Sequence, residues 1–161
     1  MRAYSREIAG SKKSMEDNPK LITGRLLGLD LGDKRIGVAV TDELQVSISP
    51  LPPIAVTNWK AVLEAIRHVI AEFDAAAVVI GWPLNMDGTE GPCLEKVRAT
   101  AAKLQKSVAL PIFFQDERLT TEGAMAILSE TRVPPEARKS MVDSRAAAII
   151  LSDYISRASN I

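Results

Sequence analysis

The sequence predicts one α/β domain built on a mixed, mostly parallel sheet. Three observations lead there. An apolar run, "RLLGLDL" from Arg25 to Leu31, is followed after the tight "GDK" turn by a second, "RIGVAVTD". Two further short apolar runs, "AAAVVI" and "PIFF", then alternate with stretches of helical period. Strand–helix–strand order of that kind implies parallel pairing with helices against the sheet faces, whereas a short turn implies an antiparallel hairpin.

Each element follows in turn. "RLLGLDL" is apolar at successive positions, which fits a central strand covered on both faces. "RIGVAVTD" is its hairpin partner. "SISPLPPIAV" contains Pro50, Pro52 and Pro53, so a strand there is an edge strand or begins only near Ile54. From Asn58 to Phe73, Val62, Ile66, Val69, Ile70 and Phe73 recur at helical spacing. "AAAVVI" is a buried strand ending at Gly81, and "GWPLNMDGTEG" is a loop by its Gly, Pro, Asn and Asp content. Leu94, Val97, Ala101 and Leu104 mark the next helix, and "PIFF" the last strand. Thr120 or Thr121 caps a helix carrying Ala124, Ile127 and Leu128. "TRVPPEARK" is a loop, and 141–157 form the final helix.

The bulk composition narrows the class. A chain of 161 residues suits a single domain, 25–161, with residues 1–24 read as a flexible extension or an expression remnant. Twenty basic residues balance twenty acidic ones, which counts mildly against a purely electrostatic nucleic-acid binder. An acidic metal cluster beside a basic rim would give the same total. The single cysteine, Cys93, rules out an internal disulfide and suits a reducing cytoplasm. No apolar run reaches the length of a membrane helix, and the N-terminus lacks the apolar core of a signal peptide.

The chemistry resides in acids. Asp30 sits inside an apolar run, where an uncompensated carboxylate costs several kcal/mol, of order 2–7 or more. Open α/β sheets place ligands beyond the carboxyl ends of their strands. Asp30 closes the first strand, Glu117 follows "PIFFQD" at the end of the last, and Asp143 opens the final helix. Ala146, Ala147, Ile150 and Tyr154 share the helical stripe of Asp143, so that acid points towards the sheet.

Each acid alone admits a structural role. Asp30 has turn N–H groups within reach, Glu117 has Arg118 or Arg35 as an ion-pair partner, and "SMVD" has the spacing of a capping box. Together they repel one another unless a cation is present, and hard divalent ions take such oxygen ligands. Two ions roughly 3.5–4 Å apart can clamp the attacking and leaving oxygens of a phosphodiester. Competing chemistries lack their residues. His68 lies on the polar side of its helix, Cys93 has no histidine neighbour, and no Walker-type loop or zinc spacing occurs.

"GLDLGDKRIGVAVTD", "VIGWPLNMDGTEG", "DERLTT" and "VDSRAAAIILSDYI" resemble, in order and spacing, the signatures of the YqgF/RuvX family of Holliday junction resolvases and pre-16S rRNA nucleases. The resemblance runs from residue 25 to about 157. It implies an RNase H-like fold, a five-stranded sheet whose second strand is antiparallel, with helices packed on it. It also implies a Mg²⁺- or Mn²⁺-dependent site of two ions on Asp30, Glu117 and Asp143, and a structured RNA or branched DNA substrate. Cutting both strands of a junction would call for a homodimer.

Around that site, Lys34 and Arg35 are candidates for phosphate contact, and Asn85 and Lys139 for substrate contact. Arg118 orients Glu117 or touches substrate. Gly28 and Gly32, flanking Asp30, are expected to let backbone and phosphate approach closely. Trp82 stands where a smaller aliphatic residue is expected, altering the loop or offering a stacking face. Two other classes are carried beside the nuclease. One is a non-catalytic nucleic-acid-binding factor. The other is an ATP-using phosphotransferase, suggested by the likeness of the first hairpin to that of sugar kinases and opposed by the lack of a second domain.

Overall fold

The computed structural model describes residues 22–83, 87, 89–117 and 142–159, with Val142 and Asp143 described by backbone alone. In chain order the elements are β1 (Arg25–Leu31), β2 (Arg35–Thr41), β3 (Ile48–Ala55), α1 (Trp59–Phe73), β4 (Ala75–Trp82), α2 (Pro92–Ser107), β5 (Ile112–Asp116) and α3 (Val142–Ser159). The sheet runs β3-β2-β1-β4-β5. β2 is antiparallel to both neighbours, and β1, β4 and β5 are mutually parallel. The expected hairpin, its antiparallel second strand and the parallel remainder are all present. The helix carrying Ala124, Ile127 and Leu128, the "TRVPPEARK" loop and most of the N-terminal extension lie outside the described residues.

Alternation along the strands makes two cores. Leu27, Leu29, Val78, Ile80 and Ile112 face one way and pack with Val62 and Ile66 of α1 and Leu94 and Val97 of α2. Leu26, Ala77, Val79 and Phe113 face the other way and meet Ala147, Ile150, Leu151 and Tyr154 of α3. With helices on both faces, the central strands have no polar side, which explains their unbroken apolar sequences.

Local signals set the boundaries. The Asn58 side chain accepts from the Ala61 N–H at 2.9 Å, making it the cap of α1 rather than its first residue. Asp74 ends that helix in the left-handed region at φ 52, which Asp tolerates better than most residues. Pro92 opens α2, where a missing N–H is harmless. His68 is exposed and 3.6 Å from Glu72 one turn on, a surface pair as its polar-face position implies.

The proline-rich segment is indeed an edge strand, and it pairs from Thr41↔Ile48 to Arg35↔Ala55 on both sides of an interruption at Pro52 and Pro53. The register slips by one residue between Ile36 and Val38, opposite Pro52 and Pro53. At that slip the wholly buried Ser144 of α3 enters the ladder. Its hydroxyl accepts from the Val38 N–H at 3.1 Å and donates to the Leu51 carbonyl at 2.5 Å. One side chain thereby replaces the ladder bonds that the bulge removes, and pins the first turn of α3 to the sheet.

Gly28 brings the same helix close to β1. A Cβ there would lie 2.6 Å from Leu151 Cγ and 2.8 Å from the Ala147 carbonyl. This corrects the expectation that Gly28 admits phosphate, because α3 already covers it. Gly32 serves the turn itself. Its N–H donates to the Arg35 carbonyl at 3.1 Å, and an added Cβ would stand 2.5 Å from that oxygen.

Candidate active site

Asp30 is the penultimate residue of β1, half-buried, on the face covered by α3. Its partner across the hairpin is Gly37, which has no side chain to fill the space beside it. Glu117 follows β5 directly. Its N–H donates to the Trp82 carbonyl at 3.2 Å, extending the β4–β5 pairing by one residue and fixing the direction of the side chain.

Between these strands lies β4, and Gly81 is the residue that matters. It stands one step beyond the Leu29↔Ile80 pair, beside Asp30, and is paired with Gln115 on its other side. A Cβ at Gly81 would fall 2.5 Å from Glu117 Oε1 and 2.8 Å from Glu117 Cδ. The carboxyl of Glu117 therefore lies across the bare backbone of Gly81 towards Asp30, and the two acids form a side-chain hydrogen bond.

That bond requires a proton. Burial pushes the Glu117 carboxyl up to about 8, with the Asp30 charge, the hydrogen bond to Asp30 and the Asp116 charge adding in the same direction. Near neutral pH the pair holds one proton between two acids, the behaviour of like charges forced together. Asp116 is itself buried. Asp30 and Glu117 are oxygen donors of the kind a divalent cation takes, but no group of three such ligands occurs among the described residues.

The other expected site residues fall as follows. The backbone of Asp143 lies in the first turn of α3, after Val142 and immediately before Ser144, which bonds to Val38, the partner of Leu29 in β1. The first turn of α3, with Asp143 in it, thus lies near the carboxyl end of β1, while the Asp143 side chain is outside the described residues. Asn85, Arg118 and Lys139 are outside them as well. Lys34 and Arg35 are exposed in and beside the turn that follows Asp30, and the Lys34 carbonyl accepts from the Val56 N–H at 2.9 Å.

Trp82 offers no stacking face. It is 1% exposed, edge-on to Phe114 with ring centroids 5.0 Å apart, and Arg98 lies over its ring at 5.9 Å. Its side chain belongs to the core under α2. Sequence reasoning missed Gly81 and Asp116. The adjacent acids "DE" after an apolar run were a usable signal for Asp116. Gly81 had none beyond closing "AAAVVIG", because its role depends on Glu117, which follows the adjacent strand but lies 36 residues on in sequence.

Comparison with known proteins gives the family and the fold. Residues 24–157 match the model of a family described as "RuvX: Holliday junction resolvase". A protein of Syntrophus aciditrophicus named "Putative pre-16S rRNA nuclease" is 42% identical over 131 residues, covering 81% of this chain and 87% of that protein. A protein of the same name from Geobacillus kaustophilus is 41% identical over 133 residues, covering 81% and 96%. Among solved structures, Thermus thermophilus RuvC in complex with a Holliday junction substrate superposes with a TM-score of 0.51 at 15% identity, covering 83% of this chain and 95% of that one. That last likeness is one of fold, the RNase H-like sheet with its helices.

Proposed function

Because the chain belongs to the RuvX family of Holliday junction resolvases, we propose that it is a divalent-metal-dependent nuclease that hydrolyses phosphodiester bonds in structured nucleic acid. Its substrate in this reading is pre-16S rRNA, as the names of its relatives suggest, cut at the 5′ end as the family resemblance implies, with branched DNA as the other candidate. The observation that carries the reading is the Asp30–Glu117 carboxyl pair over Gly81. A platform that merely bound RNA would gain nothing from holding two repelling acids together, and would lose stability by it.

Asp30 and Glu117, with Asp143 as the third ligand, would hold Mg²⁺ or Mn²⁺. When bound, the ions supply Lewis-acid charge to the scissile phosphate and to the attacking water. The chain's own residues do the rest. Gly81 leaves the space in which Glu117 reaches Asp30. Ser144 fixes the turn that starts at Asp143. Lys34 and Arg35 take phosphate oxygens of the strand crossing the β1–β2 turn. Asn85, Arg118 and Lys139 belong to the proposal as sequence-based candidates for the same contacts.

The test is cleavage of a pre-16S-like stem and of a four-way DNA junction, with Mg²⁺ and with Mn²⁺, by the wild type and by Asp30→Asn. The expected result is a loss of roughly a hundredfold or more in the variant, as for removal of a metal ligand. Equal cleavage by both proteins would overturn the assignment.

A further inference from the structure

On the sheet face opposite the carboxyl pair lies a cavity of about 370 Å³, between the start of α1, the outer face of α2 and the β1–β2 turn. That volume is within the range of about 300–1,000 Å³ typical of ligand pockets. Its floor is apolar, formed by Leu31, Ile36, Val62 and Val97. Lys96, Thr100 and Lys103 line it from one stripe of α2, at spacings of four and three. Trp59 and Asn58 line it from the start of α1.

We propose that this cavity is the subsite for an unpaired nucleobase of the strand being cut, with the phosphate of that nucleotide on Lys96 and Lys103. The inference rests on the nuclease reading and names a part of its substrate. A base has a flat apolar body and a polar edge, which is the chemistry of the lining. Aromatic side chains that accept bases do so without needing a particular sequence. Lys103 Nζ already lies 5.4 Å from the centroid of the Trp59 ring, so the indole presents a face to a cation. Lys96 is 3.1 Å from Asp33 with both side chains more than two-thirds exposed. Both contacts are of the weak, solvated kind that a phosphate readily displaces. Asn58 spends its carbonyl oxygen on the Ala61 N–H, which leaves its NH₂ group for a base edge.

Placement ties the cavity to the acids. Asp30 faces α3, and the next three residues, Leu31, Gly32 and Asp33, line the cavity on the other face. A strand crossing the turn would pass Lys34 and Arg35, setting one phosphate at the carboxyl pair and a neighbouring base in the cavity. Lysines outnumber acids in the lining by Lys96 and Lys103 against Asp33, as an anionic strand requires.

The experiment uses the full chain carrying Asp30→Asn and a set of stem–loop RNAs, each with one abasic sugar in the unpaired strand. One abasic position beside the cut is expected to weaken binding about tenfold, the effect of losing one stacked base. Adding Lys96→Ala and Lys103→Ala should weaken the intact ligand by about tenfold or more. Thr100→Trp, which fills the cavity from an outer turn of α2, should erase the abasic difference at unchanged melting temperature. Uniform affinity across the abasic set, or a Thr100→Trp protein that keeps the difference, overturns the subsite. Absence of cleavage by the wild type with either metal would instead sink the nuclease reading while leaving the abasic profile intact, so the two failures are distinguishable.

Discussion

The side chain of Glu117 reaches the carboxyl of Asp30 only because residue 81, on the strand between them, has no Cβ. Two acids are thus joined across a third strand, and the proton they share without metal is the one a cation must displace. The first two predictions follow from that proton.

Divalent-ion affinity rises with pH. Below about 8 the Glu117 carboxyl holds its proton in the metal-free protein, so binding must expel it, and affinity should grow by up to about tenfold per pH unit until it levels off above that value. Calorimetry with Mn²⁺ at pH 6, 7 and 8 checks this. A flat profile would contradict the shared proton.

Glu117→Gln stabilises the metal-free protein at alkaline pH. The unfolded chain releases this proton near the ordinary 4.5, whereas the folded chain keeps it to about 8. Between those values the folded state binds more protons, so its stability falls as pH rises and the full penalty is present above 8. Removing the charge should recover on the order of 1–3 kcal/mol at pH 8.5 and little at pH 4. Urea unfolding at the two pH values provides the measurement, and an equal effect at both would refute the argument.

Gly81→Ala and Gly28→Ala separate activity from stability. At Gly81 the new methyl meets the ends of two side chains, Glu117 and Ile150, which can turn away at the expense of the carboxyl geometry. At Gly28 it meets the Ala147 backbone carbonyl at 2.8 Å, which cannot. We expect Gly81→Ala to lose roughly tenfold or more in cleavage with a small stability change. Gly28→Ala should lose about 1–3 kcal/mol by overpacking. Denaturant midpoints and cleavage rates measured on both would expose a reversed order.

Ser144→Ala leaves the buried Val38 N–H without an acceptor and the Leu51 carbonyl without a donor. The expected cost is about 1–3 kcal/mol. Hydrogen exchange at Val38 should accelerate well beyond its neighbours in β2. Protection at Val38 equal to that of the wild type would contradict the bridge.

Legibility in the sequence divides along contact range. Asp30 was conspicuous as a charge inside an apolar run, and Glu117 as an acid just past a strand, because both signals are local. The antiparallel hairpin and the parallel pairing after it were recoverable from the short "GDK" turn and the strand–helix alternation that follows. The roles of Gly81, Gly28 and Ser144 were hidden, since each is defined by a partner distant in sequence, Glu117, Ala147 and the Val38–Leu51 gap respectively. Ser144 read locally as part of a helix start and nothing more, although its neighbour Asp143 stood out by its place on the apolar stripe of that helix. Trp82 misled for the opposite reason. Beside Pro83 in a loop-like motif it resembled an exposed ring, yet the strand runs on through residue 82 and turns the indole inward.

The three prolines of β3 have a consequence beyond register. Three of the eight positions on that outer strand carry no N–H, so this border of the sheet is a poor template for another chain to zip onto. Copies of the chain at high concentration are thereby discouraged from joining edge to edge through β3 into one continuous sheet.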